Sequence, residues 1–142
     1  MKIRVLLVDD EKNFIDALSQ RLEMRDFAVA TACNGDEALR LIDEYEYDVI
    51  VLDVRMPGED GIQMLKLLKE LKPLIEIIML TGNATVQIAI EGMKLGAYDF
   101  LVKPADTDLL VGKINSAYKL KSDHEERIRQ AEIENIVKHK GW

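Results

Sequence analysis

Five short apolar runs recur along the chain at near-regular intervals, and they leave it few ways to fold. They are IRVLLV (3–8), FAVATA (27–32), DVIVLDV (48–54), IEIIML (75–80) and YDFLV (98–102). Val, Ile and Leu dominate them, and most are too continuous to leave one face in water. Such runs form strands covered on both sides. Amphipathic stretches lie between them. Phe14, Ala17, Leu18 and Leu22 share one helical face, as do Ile62, Leu65, Leu68 and Leu71. Asn34-Gly35 opens a helix over 35–44 whose Ala38, Leu39 and Ile42 turn inward. Residues 83–97 form a weaker helix, with apolar and small residues spread around it, and residues 106–120 a fifth. Five alternations with short connections predict right-handed βαβ units and a parallel sheet layered by helices. The fold class is therefore α/β, a doubly wound five-stranded parallel sheet of order 2-1-3-4-5.

The 142 residues suit one domain with a proper core. Net charge is −7, from 19 basic and 26 acidic residues. No basic patch suited to a phosphate backbone appears, so no direct nucleic-acid binding is expected. An acidic body suits a cationic ligand or a basic partner. The one cysteine, Cys33, excludes a disulfide framework and is expected to be a buried structural thiol. The N-terminus lacks signal-peptide architecture, and no run approaches a membrane span, so a cytoplasmic protein without a membrane role is expected.

In a doubly wound sheet ligands sit beyond the carboxyl ends of the strands. There the sequence places Asp9 and Asp10 after the first strand, Asp53 on the third, Thr81 and Gly82 after the fourth, and Lys103 and Pro104 after the fifth. Clustered carboxylates repel unless a hard cation sits among them, and Mg²⁺ takes one or two carboxylates together with waters and phosphate oxygens. With such a cation bound, Asp53 can act as a nucleophile on phosphorus, while Lys103 stabilises charge on the transferred group and Thr81 donates to a new phosphoryl oxygen. The plainer alternatives are helix capping for Asp9 or Asp10, a turn role for Asp53, surface charge for Lys103, and core packing for Thr81 or Phe100.

LLVDDE, VLDVRMPGEDG, IIMLTG and GAYDFLVKP resemble, in order and spacing over residues 3–120, the four signature segments of the response-regulator receiver domain of two-component signalling. The wording AIEGMKLGAYDFLVKP is most similar to receivers attached to nitrogen-regulator-type ATPase activators. The resemblance implies that Asp53 is the phospho-acceptor and a sensor histidine kinase the phosphodonor. It implies Mg²⁺ held by Asp10, Asp53 and the backbone carbonyl of Arg55, with Asp9 acting through water. Thr81 and Phe100 match the switch pair, the Lys103–Pro104 bond is expected to be cis, and the domain catalyses only its own phosphorylation and dephosphorylation. Arg55 and Asn83 take the positions that neighbour the attacking water, and a long cation at Arg55 predicts slow self-dephosphorylation.

Phosphorylation adds about −1.5 to −2 of charge. A hydroxyl drawn toward it vacates space for an aromatic ring on the fifth strand, changing the surface of the fourth helix, fifth strand and fifth helix for a downstream output protein. Two other classes are disfavoured. An aspartate-nucleophile phosphatase wants a second acid where Arg55 stands, and a mononucleotide binder wants a Gly/Ser-rich loop where DDEKN stands. Within the family, the alternative to a stand-alone switch is the receiver portion of a longer transcriptional activator.

Residues 1–121 are read as the receiver and 122–142 as a C-terminal helical extension. Ser122 and Glu125 have capping-box spacing, which predicts a separate helix over 123–138, with a Glu125–Arg129 pair supporting it. Ile128, Ile133, Ile136 and Val137 spread too broadly for a strict heptad. A homodimer through this helix, or through the fourth helix, fifth strand and fifth helix, is the expected form of any self-association. His124, His139 and Trp142 are expected to be solvated.

Overall fold

The computed structural model describes residues 2–56, 59–82 and 86–140, excluding the side chains of residues 55, 56, 59, 60 and 140. Five strands, β1 (Arg4–Val8), β2 (Ala28–Ala32), β3 (Val49–Asp53), β4 (Glu76–Thr81) and β5 (Asp99–Val102), form one sheet of order β2-β1-β3-β4-β5. Every pairing in it is parallel. The helices are α1 (Lys12–Glu23), α2 (Gly35–Glu44), α3 (Gly61–Leu71), α4 (Val86–Lys94) and α5 (Thr107–Lys140). Arg55–Met56 pairs antiparallel with Glu59–Asp60 as a small ribbon after β3.

Alternation along the strands divides the core into two layers. Leu6, Val8, Ile50, Leu52, Ile77 and Met79 face Ala38 and Ile42 of α2, Leu65 and Leu68 of α3, and Ala89 of α4. Val5, Leu7, Val49, Val51, Ile78 and Leu80 face Ile15, Leu18 and Leu22 of α1 and Leu110, Ile114 and Ala117 of α5. With both faces covered, every residue of β3 and β4 is buried, which is why these runs read as continuously apolar.

Local chemistry sets the joints. Asn34 is the N-cap of α2, and its side chain accepts from the Glu37 amide at 2.8 Å. Glu37 in turn accepts from the Cys33 amide at 3.2 Å, a reciprocal cap. Gly61 starts α3 against the end of β3, where a Cβ would lie 2.3 Å from the Val54 carbonyl oxygen. Cys33 is half-buried against the α1/α5 layer and not fully enclosed as expected, because it lies beyond the last residue of β2.

The helix expected to start after Ser122 does not exist as a separate element. α5 runs unbroken through 34 residues, and Ser122 lies inside it. Lys119–Asp123 and Lys121–Glu125 pairs at i,i+4 bridge the expected break. The expected Glu125–Arg129 pair is replaced, since Glu125 turns back to Lys121 and Arg129 pairs with Glu126. Lys121 also reaches down to Asp48 at 3.2 Å, with both groups buried, and this contact fastens the helix to the head of β3. Beyond Glu125 the helix is exposed, including Ile128, Ile133, Ile136 and Val137. The expected helix over 83–97 is observed as Val86–Lys94, and residues 83–85, among them Asn83, lie outside the described residues.

Candidate functional site

Parallel pairing brings the carboxyl ends of β1, β3, β4 and β5 to one rim, and the polar residues expected there converge. Asp9 follows β1, and its amide is tied to the Ala32 carbonyl at 3.1 Å. Asp53 ends β3 and Thr81 ends β4. Lys103 follows β5 and donates its backbone amide to the Thr81 carbonyl at 2.7 Å. The Lys103–Pro104 peptide is cis.

One carboxylate oxygen from each of Asp9, Asp10 and Asp53 lies within 4.8 Å of the others. Asp9 and Asp53 are buried and Asp10 is exposed, so the cluster opens to solvent on one side. Three hard anionic oxygens at this spacing fit a divalent cation such as Mg²⁺. Neither Asp9 nor Asp10 caps α1: the N-cap is Glu11, which makes no side-chain cap. Asp9 instead accepts from the Glu11 amide at 2.9 Å.

The Lys103 ammonium lies 2.8 Å from Asp9, 3.1 Å from Glu11 and 3.5 Å from Asp53. The ring of Phe14 covers another side, 4.6 Å from ammonium to centroid. Burial opposes the charge, but the hydrogen bond to Asp9, the charges of Asp53 and Asp9 and the bond to Glu11 outweigh it and raise the lysine above its ordinary pKa. Lys103 is thus a fixed cation among acids, not a free surface charge.

Thr81 is fully buried, and its hydroxyl donates to the Gly82 carbonyl at 3.0 Å. Phe100 lies on the neighbouring strand, opposite Met79, while Thr81 is opposite Val102, so the two are offset by two positions along the ladder. Phe100 is half-buried against the layer that includes α4. The Arg55 backbone belongs to the ribbon just past Asp53, while its side chain lies outside the described residues, as do Pro57, Gly58 and Trp142. Nothing in the residue pattern signals that Glu11 and Phe14 touch Lys103. The available hint is that Glu11 continues the acidic run and Phe14 stands in the first turn of α1.

At the opposite end of β3 a second ionic cluster forms. Buried Asp48 accepts from the Arg4 amide at 2.8 Å, from the Arg4 guanidinium and from Lys121. Burial raises its carboxyl, but these three donors prevail and hold it below the usual aspartate range.

A parallel doubly wound sheet with polar residues gathered at its carboxyl rim defines a class of ligand-binding α/β domains. Residues 5–115 match the family model described as the response regulator receiver domain. The chain belongs to that family. It is 37% identical over 119 residues to regulatory protein AtoC of Escherichia coli K12, a match that covers 84% of this chain and 26% of AtoC. A response regulator receiver domain structure from Clostridium thermocellum superposes with a TM-score of 0.81 at 33% identity, covering 84% of this chain and 97% of that one. NtrX from Brucella abortus superposes with a TM-score of 0.85 at 27% identity, covering 92% of this chain and 30% of NtrX. The similarity to receivers of nitrogen-regulator-type activators holds. The chain spans about a quarter of the length of AtoC and of transcriptional regulatory protein ZraR of Salmonella typhimurium. Among the described residues, no helix is long and apolar enough to cross a membrane.

Proposed function

We propose that the chain is a phosphorylation switch whose acceptor is Asp53. The observation that carries this reading is a buried Asp53 carboxylate grouped with Asp9 and Asp10 and facing the Lys103 ammonium at 3.5 Å. Asp10, Asp53 and the Arg55 carbonyl would hold Mg²⁺, with Asp9 beside them, and the ion would neutralise charge on the phosphoryl oxygens. A carboxylate oxygen of Asp53 forms a bond to phosphorus while the bond to the donor's leaving atom breaks, and the leaving group keeps the electron pair. Lys103 offers its ammonium to the transferred group. Thr81 exchanges its bond to the Gly82 carbonyl for one to a phosphoryl oxygen, and Phe100 turns toward the space released.

The surface of α4, β5 and α5 then changes for an output partner. The donor is a sensor histidine kinase, and the only chemistry catalysed is the chain's own phosphorylation and dephosphorylation. Neither direct nucleic-acid contact nor a membrane role belongs to this reading. Self-association, where it occurs, uses the same surface or the end of α5. We take residues 1–121 as the receiver and 122–142 as its extension, acting in the cytoplasm. A second reading, that this is the receiver portion of a longer transcriptional activator, is favoured by the quarter-length coverage of AtoC and ZraR.

Incubation with acetyl phosphate and Mg²⁺, followed by intact mass, tests the core of the proposal. One phosphoryl group is expected on the wild type and none on Asp53→Asn. An unlabelled wild type, or an equally labelled variant, overturns it.

A further inference from the structure

We propose that Glu11 is a positioning residue that holds Lys103 aside in the resting protein and releases it when Asp53 is phosphorylated. The inference rests on the assignment of Asp53 as acceptor. Lys103 makes two hydrogen bonds, to Asp9 at 2.8 Å and to Glu11 at 3.1 Å, while its contact with Asp53 is longer at 3.5 Å. Phe14 closes a further side of the ammonium. The resting lysine is therefore drawn toward the β1–α1 side of the pocket.

An ammonium has three donors, and a phosphoryl group on Asp53 needs one of them. Asp9 and Glu11 take two of these donors and the Phe14 ring covers a further side, so a phosphoryl group on Asp53 draws Lys103 away from Asp9 or Glu11. Burial decides which bond gives. The Asp9 side chain is 1% exposed, and stripping it of its cation leaves an uncompensated buried charge. The Glu11 side chain is 65% exposed, and water can replace the lysine there. Glu11 is thus the exchangeable partner. Its backbone amide fixes Asp9 at 2.9 Å, so the same residue orients one acid of the pocket and restrains the pocket's cation. Glu11 also adds a negative charge at the mouth of a site that receives an anionic phosphodonor, a second reason for it to slow the resting protein.

Glu11→Gln keeps the side-chain length and the backbone amide but removes the charge. Its rate of phosphorylation by acetyl phosphate with Mg²⁺ is expected to rise roughly two- to fivefold, the range an exposed ion pair covers. The gain should shrink at high salt, Glu11→Asp should lie nearer the wild type, and the thermal midpoint should be unchanged. A Glu11→Gln rate equal to or below that of the wild type overturns the proposal. A structural readout stands apart from the kinetics. In a complex with Mg²⁺ and beryllofluoride as phosphoryl mimic, the Lys103–Glu11 contact should be broken and the Lys103–Asp9 contact kept. Retention of the Glu11 pair there also overturns it. Failure of the wild type to take any phosphoryl, with Asp53→Asn as control, identifies instead a failure of the acceptor assignment and removes the proposal with it.

Discussion

Asp48 and Asp53 stand at opposite ends of one buried strand, and each faces a lysine. Lys121 lies 3.2 Å from Asp48, and Lys103 lies 3.5 Å from Asp53. The two pairs differ in setting. Asp48 is fully engaged by Arg4 and Lys121, which suits a permanent clamp. Asp53 shares its lysine with Asp9 and Glu11 beside an open acidic cluster, which suits exchange.

The clamp is expected to make the stretch of α5 up to Lys121 integral to the fold. Lys121→Met leaves a buried carboxylate with fewer donors and should cost about 1–3 kcal/mol in urea unfolding. A chain ended after Ser116 loses buried Ala117 as well as Lys121 and should be weaker still. One ended after Arg129 should match the full chain. Equal midpoints for all of these would show that the clamp contributes nothing.

The Asp48 carboxyl sits below its ordinary value in the folded state, so the unfolded chain binds that proton more readily. Its stabilisation is present above the unfolded aspartate value, about 3.9, and is lost as pH falls through the folded value. Urea titrations of wild type and Asp48→Asn should therefore show a gap at pH 7 that narrows toward pH 3. A gap independent of pH would contradict this.

Removing mutual repulsion should be visible as stability. Mg²⁺ at a hundred times its dissociation constant should stabilise the wild type by about 2.7 kcal/mol. Asp10→Asn should need a higher Mg²⁺ concentration for the same rise in thermal midpoint. No rise in the wild type would refute the cation site.

Gly61→Ala should destabilise by about 1–3 kcal/mol, because its methyl would meet the Val54 backbone and force α3 away from the end of β3. Thermal unfolding measures the loss. An unchanged midpoint would mean that the junction yields freely.

The sheet order and the rim residues were legible because they depend on local pattern. Continuous Val, Ile and Leu mark β1, β3 and β4, and parallel pairing then forces Asp9, Asp53, Thr81 and Lys103 together whatever their rotamers. The contacts of Glu11 and Phe14 with Lys103 were not legible, since they depend on how one flexible side chain crosses from β5 to α1. Ser122 misled for a different reason. Its S-x-x-E spacing is a capping signal only where the chain turns, and here Ser122 lies among Leu120, Lys121 and Glu125 in a stretch that already favours helix. Lys121, with its long stem and single charge, gave no warning that it would be buried on Asp48.

Held at Lys121 and exposed beyond Glu125, α5 has the form of a lever arm. Its 34 residues make a rod about 51 Å long, of which the last 15, residues 126–140, project roughly 22 Å past Glu125. A tilt of about 5° at the sheet would carry the tip through roughly 2 Å on that geometry. Motions too small to alter the packing of the core would thus arrive amplified at whatever the far end touches.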